Sequence, residues 1–95
     1  MYGTVGRVKV KAANRDKLVE VMRSQGNMDI PGFNKAYAMF PENHEDTAIM
    51  VVLFDDKDSY WKNANDPEQD KRYKEFARFF ESEPEWHDGE WIEGI

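Results

Sequence analysis

The chain has 95 residues, of which 13 are Lys or Arg and 19 are Asp or Glu, so its formal net charge at pH 7 is −6. This length predicts a single domain, residues 1–95, and the absence of cysteine excludes disulfides, thiolate nucleophiles and cysteine-based metal sites. An acidic balance without a basic run argues against nucleic acid or an anionic membrane as partner. With no apolar window long enough to cross a bilayer, we expect a cytoplasmic protein.

The first part of the chain predicts a strand followed by a helix. Residues 2–11 (YGTVGRVKVK) alternate between two faces, which is typical of a strand with one buried face. We expect Asn14 to cap a helix and Gly26 to end it. Between them four residues recur at helical spacing: Leu18, Val21, Met22 and Gln25. The stretch 27–32 is rich in turn-forming residues.

Two further strands are expected in the middle of the chain, joined by a polar loop. Residues 33–40 (FNKAYAMF) alternate imperfectly, 41–46 form the loop, and 47–54 (TAIMVVLF) are nearly all apolar or β-branched. Such a run is typical of a central strand that is covered on both faces. Covering both faces in so short a chain would need contacts from outside it.

The second half of the chain carries most of the aromatic residues. Of the 13 in the sequence, nine lie from Phe54 onward. A short helix is expected to begin at Asp58, to contain Tyr60 and Trp61, and to break around residues 63–66. Aromatic side chains in such numbers predict either a core or the wall of a pocket.

The next helix has a strong start signal. Asp66 is an acidic N-cap, Pro67 takes the first helical position, and Gln69 stands in the place of a capping box. We expect this helix to run to about Glu81. Its apolar stripe recurs at helical spacing: Tyr73, Phe76, Ala77 and Phe80. Stripes of this kind usually pack in the core.

The order of elements is βαββαβ, with a last strand over residues 86–95 after Pro84. Short connections and right-handed crossovers favour a ferredoxin-like α+β fold, with a four-stranded antiparallel sheet in the order 4-1-3-2 and the helices on one face. The other face would be bare although Val5 and alternate residues of 47–54 point to it. A second copy would cover it most simply, so we expect a homodimer.

Four segments carry a resemblance to a known family: YGTVGRVKVK, PGF, TAIMVVLFDDKDSYW and NDPEQDKRYKEF. In these features, and across essentially its whole length, the chain resembles the antibiotic biosynthesis monooxygenase-like family of dimeric α+β barrels. That family includes cofactor-independent oxygenases of aromatic, polyketide-type phenols as well as haem-degrading enzymes. The resemblance therefore implies the fold more strongly than the reaction.

The haem-degrading branch of the family pairs an Asn on the first strand with a Trp and a His near the second helix. In this sequence Gly6 stands at the strand position and Trp61 matches the Trp, but the histidine's place falls near Arg72. Without an imidazole ligand the haem iron would need another donor. The resemblance therefore disfavours haem, and no cofactor is expected.

The oxygenase branch implies a pocket between the sheet and the helices, in which a deprotonated phenol itself passes an electron to dioxygen. Such a site needs an apolar wall and a few polar groups that stabilise the anion. On this resemblance we predict three catalytic residues: Tyr73, Arg72 and His87. The predicted substrate-binding residues are Tyr37, Trp61, Phe76, Phe80 and Trp86. The ligand would be a small apolar or aromatic molecule.

Structural alternatives to these roles stay open. The hydroxyl of Tyr73 is the strongest candidate for a polar group facing a cavity, because a buried hydroxyl needs a partner. His87 lies among the acids of Glu85-Trp86-His87-Asp88, which favours its charged form. Neighbours on a strand alternate sides, however, so a structural or surface role for His87 fits the sequence better. The whole chain also suits a non-catalytic dimeric module that binds a small ligand or regulates a partner.

Metal and nucleotide sites are not expected. His44 and His87 are the only histidines and lie far apart in the sequence, without the spacing of a metal site. The glycines form no phosphate-binding loop, and no serine lies in a nucleophile motif.

Overall fold

A computed structural model describes residues 1–26 and 29–95. The predicted turn over 27–32 begins in the two residues outside this description. The strands are β1 (Tyr2–Lys9), β2 (Phe33–Met39), β3 (Thr47–Phe54) and β4 (Glu85–Glu90). The helices are α1 (Arg15–Gln25), α2 (Lys57–Ala64) and α3 (Pro67–Ala77), with a 3₁₀ turn at Ala12–Asn14 before α1.

The four strands form one sheet in the order β2-β3-β1-β4, and every neighbouring pair is antiparallel. This order confirms the predicted ferredoxin-like βαββαβ arrangement. β1 and β3 are the central strands, paired from Tyr2 opposite Phe54 to Lys9 opposite Thr47. A β-bulge between Phe33 and Lys35 shifts the register of the edge strand β2.

All three helices pack on the same face of the sheet, and the core lies beneath them. Leu18 of α1 is fully buried in a cluster with Val8, Val10, Ala48 and Met50. Val8 and Val10 alternate along the chain with the exposed Arg7 and Lys9, as the period of two predicts. Burial of this cluster is the main source of stability that the structure shows.

The start of α1 differs from the sequence-based prediction. Asn14 precedes the helix, but its side chain makes no capping hydrogen bond and its backbone is already helical, with φ −98° and ψ −2°. The 3₁₀ turn that ends at Asn14 brings the chain into the helix in its place. Gly26 ends α1 as predicted.

Two predicted boundaries near the C-terminus were wrong. α3 ends at Ala77 and not at Glu81, because Val10 forms a bridge with Phe80 and the Glu81 N–H donates to the Lys9 carbonyl at 2.8 Å. β4 ends at Glu90 and not at residue 95, since Glu90 pairs with Tyr2 at the start of β1. In both places pairing with β1 sets where the element ends.

None of the helices in the described ranges is both long and apolar enough to cross a membrane.

Candidate functional site

An aromatic cleft lies between the covered face of the sheet and the three helices. It consists of two cavities of about 120 and 310 Å³ that share a set of lining residues: Val52, Phe54, Asn63, Gln69 and Phe76. The smaller cavity holds Arg72, and the larger one reaches Tyr60 and Asp88. We call these the arginine end and the aspartate end of the cleft.

Two amide side chains hold Arg72 at the arginine end. Its Nε donates to Gln69 Oε1 at 3.1 Å, and its Nη2 donates to Asn63 Oδ1 at 3.2 Å. The Gln25 amide donates to the Arg72 carbonyl at 3.0 Å and so ties α1 to α3. Within the described ranges no carboxylate pairs with the guanidinium. Arg72 is half-buried, and these hydrogen bonds hold it in place without neutralising its charge. A guanidinium in this situation can bind an anionic oxygen of a ligand.

The junction of α2 and α3 creates this arrangement. The Asp66 carboxylate accepts a hydrogen bond from the Glu68 N–H at 2.9 Å and begins α3 at Pro67. Gln69 does not complete the predicted capping box, because its side-chain oxygen accepts from Arg72. Asn63 lies in the last turn of α2, so the turn between the helices brings both amides to the guanidinium.

Three polar side chains meet at the aspartate end. The Tyr60 hydroxyl donates to Asp88 Oδ1 at 2.8 Å. Burial raises the pKa of Tyr60, and the Asp88 carboxylate raises it further, whereas the Thr4 hydroxyl, as a neighbouring hydrogen-bond donor to the Tyr60 oxygen, lowers it. Thr4 is only 6% exposed, and its Oγ1 makes no hydrogen bond of standard geometry to the described residues. A buried hydroxyl without a partner is uncommon in a folded protein.

Aromatic rings form one wall of the larger cavity. The rings of Tyr73 and Phe76 lie edge to face at 5.2 Å between centroids, and those of Tyr73 and Trp86 lie 6.4 Å apart. The indole of Trp86 lies against Gly6, where an added Cβ would come within 2.3 Å of the ring. Gly6 therefore permits the indole to lie flat on β1.

Four of the eight predicted site residues line the cleft: Arg72, Tyr73, Phe76 and Trp86. Phe80 lies behind the wall, with its ring 6.2 Å from that of Tyr73. Trp61 is 39% exposed and packs on Tyr2 and Tyr60 outside the lining.

The other two, Tyr37 and His87, lie on the opposite face of the sheet. Tyr37 is opposite Val51, Val51 is opposite Val5, and Val5 is opposite His87, so one row crosses all four strands. Tyr37 is 54% exposed, and His87 Nε2 lies 3.5 Å from Glu85 Oε1 on the surface. The structure thus separates both from Tyr73 and Arg72, because alternation along β2 and β4 turns them away from the helices.

Sequence reasoning did not identify Thr4, Asn63, Gln69 or Asp88 as site residues, and it left Tyr60 between a place in the core and one in the pocket wall. Asp88 follows His87, and strand alternation alone could have placed the two on opposite faces. The contacts of Asn63 and Gln69 depend on the angle between α2 and α3, for which the sequence holds no signal.

Metal ligands do not gather at the cleft. Within residues 1–26 and 29–95, no group of three or more His, Asp or Glu side chains is placed to hold an ion. The carboxylate at the aspartate end accepts a hydrogen bond from a tyrosine instead.

Comparison with known proteins identifies the fold. No family model matches the chain, and no curated protein matches it. Among solved structures, it is similar to a "putative antibiotic biosynthesis monooxygenase" from Bordetella bronchiseptica, with a TM-score of 0.80 and 11% identity over 96% of each chain.

Two further structures with the same name give the same result. The one from Caulobacter crescentus has a TM-score of 0.78 and 14% identity, covering 97% of this chain and 90% of its own. The one from Chloroflexus aurantiacus has a TM-score of 0.76 and 17% identity, covering 99% and 95%. The resemblance predicted from the sequence is thus confirmed at the level of architecture: the chain has the fold of the antibiotic biosynthesis monooxygenase-like proteins.

Proposed function

We propose that the protein is a cofactor-independent monooxygenase that oxidises an aromatic or polyketide-like molecule in the aromatic cleft. The observation that carries this proposal is Arg72, a cation that two neutral amides hold in a cavity also lined by Phe76. The adjoining larger cavity shares Phe76 and is lined by Tyr73 and Trp86 as well. In the proposed complex a planar phenol packs against these rings, and the oxygen of its anion accepts hydrogen bonds from the Arg72 guanidinium. The names of the structurally similar proteins support the same class of reaction.

The residues have distinct roles in the proposed reaction. Arg72 stabilises the phenolate or enolate that forms when the substrate loses a proton to water at the mouth of the cleft. Phe76 and Trp86 hold the ring system, and the Tyr73 hydroxyl orients its oxygen. The protein thus contributes an anion site and a fixed geometry, which lower the barrier to electron transfer.

The electrons come from the substrate itself. The anion passes one electron to dioxygen, and the resulting radical and superoxide join through a new C–O bond to give a peroxide anion. Protonation of the peroxide anion gives a hydroperoxide. Water then removes the remaining C–H proton at that carbon, the C–H electron pair forms the carbonyl as the O–O bond breaks, and the leaving hydroxide takes up a proton to become water. In sum, a CH₂ group and dioxygen become a carbonyl group and water, and no external reductant is consumed.

Oxygen uptake tests the proposal directly. Metal-free protein is mixed with an anthrone or a dihydroxynaphthacene, and oxygen consumption is followed together with quinone formation. We expect one dioxygen consumed per quinone, at a rate well above the uncatalysed background. A rate equal to the background across a broad panel of such phenols would contradict the proposal.

The proposal includes a homodimer that covers the open face of the sheet. On that face Tyr37 is 54% and Met39 is 50% exposed, beside the half-buried Val5 and Val51. Apolar side chains exposed on one face, beside the charged Arg7 and Lys9, favour a partner with the same surface. Light scattering at micromolar concentration should give twice the chain mass, and Val51→Lys should give the monomer. A wild-type monomer would contradict this part.

A non-catalytic ligand-binding module is the second candidate. It is favoured by the aspartate end, where the Tyr60 hydroxyl already donates to Asp88 and its pKa is raised away from neutrality by burial. A phenol in this state is a weak acid or base at neutral pH. Quenching of Trp86 fluorescence by an anthrone, with no oxygen uptake, would select this function over catalysis.

A further inference from the structure

The aspartate end of the cleft holds a buried hydroxyl that makes no hydrogen bond of standard geometry to the described residues. Thr4 lies on the central strand β1, is more than nine-tenths buried, and lines the larger cavity. Its Oγ1 is the hydroxyl oxygen without such a bond. Burying a hydroxyl without a partner costs free energy that a ligand can recover by supplying one.

The charges near Thr4 decide which ligand group fits there. Asp88 uses Oδ1 to accept from Tyr60 and is exposed on β4, so its other oxygen is free of that bond. Asp70 also lines this cavity and pairs with Lys74 at 3.0 Å. Carboxylates repel an anion and attract a hydrogen-bond donor. A neutral hydroxyl suits this end of the cleft, whereas an anionic oxygen suits Arg72 at the other.

We infer that Thr4 and Asp88 form a binding site for a second, neutral hydroxyl of the substrate. The ligand hydroxyl donates to the Asp88 carboxylate and accepts the proton of the Thr4 hydroxyl, while Tyr60 holds Asp88 from the other side. The substrate class is therefore a planar polyhydroxylated ring system, with its acidic oxygen towards Arg72 and a further hydroxyl on a distant ring. This inference rests on the proposed use of the cleft, and it adds an orientation that the Arg72 contact alone does not set.

The Thr4 hydroxyl has two alternative hydrogen-bond partners besides the proposed ligand. It could turn to Tyr60, whose pKa it influences, or bind an internal water molecule. In either case Thr4 would serve the fold and would not distinguish one ligand from another. The discriminating quantity is therefore a ratio of affinities for two ligands and not a single affinity.

The experiment uses emodin and chrysophanol, planar tricyclic quinones that differ by one ring hydroxyl. Both are already oxidised, so binding is measured without turnover and is independent of whether the protein is an oxygenase. Calorimetry is performed in buffer acidic enough to keep that hydroxyl protonated. We expect wild-type protein to bind emodin roughly tenfold more tightly than chrysophanol.

Variants locate the source of that preference. Thr4→Val keeps the shape and removes the hydroxyl, and Asp88→Ala removes the acceptor; each should reduce the ratio of affinities to near one. Thr4→Ser should keep most of it, and Lys17→Ala on the exposed side of α1 is the control. Circular dichroism establishes that each variant is folded.

The outcomes separate this inference from the proposed function. Equal affinity for the two quinones, no binding of emodin, or a ratio unchanged in Thr4→Val would each overturn the inference. Oxygen uptake with an unhydroxylated anthrone would still support the monooxygenase in those cases. Conversely, a hydroxyl preference without oxygen uptake would support the site and overturn the proposed reaction.

Discussion

The two faces of the sheet differ in what they can do, although the same four strands form both. On the covered face, Trp86 and Thr4 meet side chains from the helices and enclose a cleft. On the open face, Tyr37 and His87 stand at the two ends of a row that crosses all four strands. The strands contribute Thr4 and Asp88 to the cleft, whereas Arg72 and Tyr60 come from helices. The difference shows that a cleft with polar groups forms only on the face that the helices cover.

The largest effect should come from the core of the covered face. Leu18→Ala removes a side chain that is 0% exposed, and we expect a loss of about 2–5 kcal/mol in the free energy of unfolding. Urea denaturation at a fixed protein concentration measures it. The control is Ile92→Ala, at a side chain that is 62% exposed, which should stay within about 0.5 kcal/mol of wild type. Equal losses would contradict the difference between buried and exposed positions.

The second effect concerns catalysis and compares Arg72 with His87. Arg72→Gln removes the charge from the arginine end and should lower the rate of oxygen uptake about a hundredfold. His87→Gln should leave most of the rate, because His87 lies on the open face. The rates are measured under the same conditions with the same anthrone. A large loss at His87 with none at Arg72 would place the reaction on the open face.

Two glycines test how closely each face is packed. Gly6→Ala should destabilise the protein by about 1–3 kcal/mol, since its Cβ would meet the Trp86 ring at 2.3 Å. Gly89→Ala is the matched control on β4, where an added Cβ has no atom within 4 Å in the single chain. Its effect should be within about 0.5 kcal/mol. Thermal and urea unfolding of the two variants measure the contrast, and comparable losses would contradict it.

The smallest effect is a pH dependence that distinguishes Tyr60 from Tyr37. Because the pKa of Tyr60 is raised in the folded protein, the unfolded chain loses this proton first, and stability falls as the pH rises past about 10. Tyr60→Phe should weaken this alkaline loss. Tyr37→Phe, at an exposed side chain on the open face, should leave it unchanged. Urea midpoints at neutral and alkaline pH provide the measurement, and identical pH profiles for wild type and Tyr60→Phe would contradict the assignment.

Local sequence patterns predicted most of the fold, because the preference of a short segment for helix or strand depends mainly on residues that are close in the sequence. Alternation in residues 2–11 and the apolar run 47–54 predicted the two central strands, and Asp66-Pro67 predicted the start of α3. The end of α3 was wrong because Phe80 pairs with Val10, far away in the sequence. No helical pattern over residues 66–81 contains that contact.

The candidate site was predictable only in part for the same reason. Arg72, Tyr73 and Phe76 lie on one helix, so their common location followed from helical spacing. His87 and Tyr37 were grouped with them by residue type, but strand alternation turns both to the other face. Thr4 and Tyr60 meet Asp88 only because β1 and α2 both approach β4 on the covered face.

The sequence by itself determined the order of elements, the sheet, and the surplus of aromatic residues after Phe54, since hydrophobic periodicity and turn chemistry act between near neighbours. The tertiary structure alone decided which rings enclose space. It set Trp86 against Gly6, placed the guanidinium of Arg72 between two amides, and buried the Thr4 hydroxyl with no hydrogen bond of standard geometry to the described residues. Those features depend on how helices and strands meet, because a cavity is a property of contacts between distant segments.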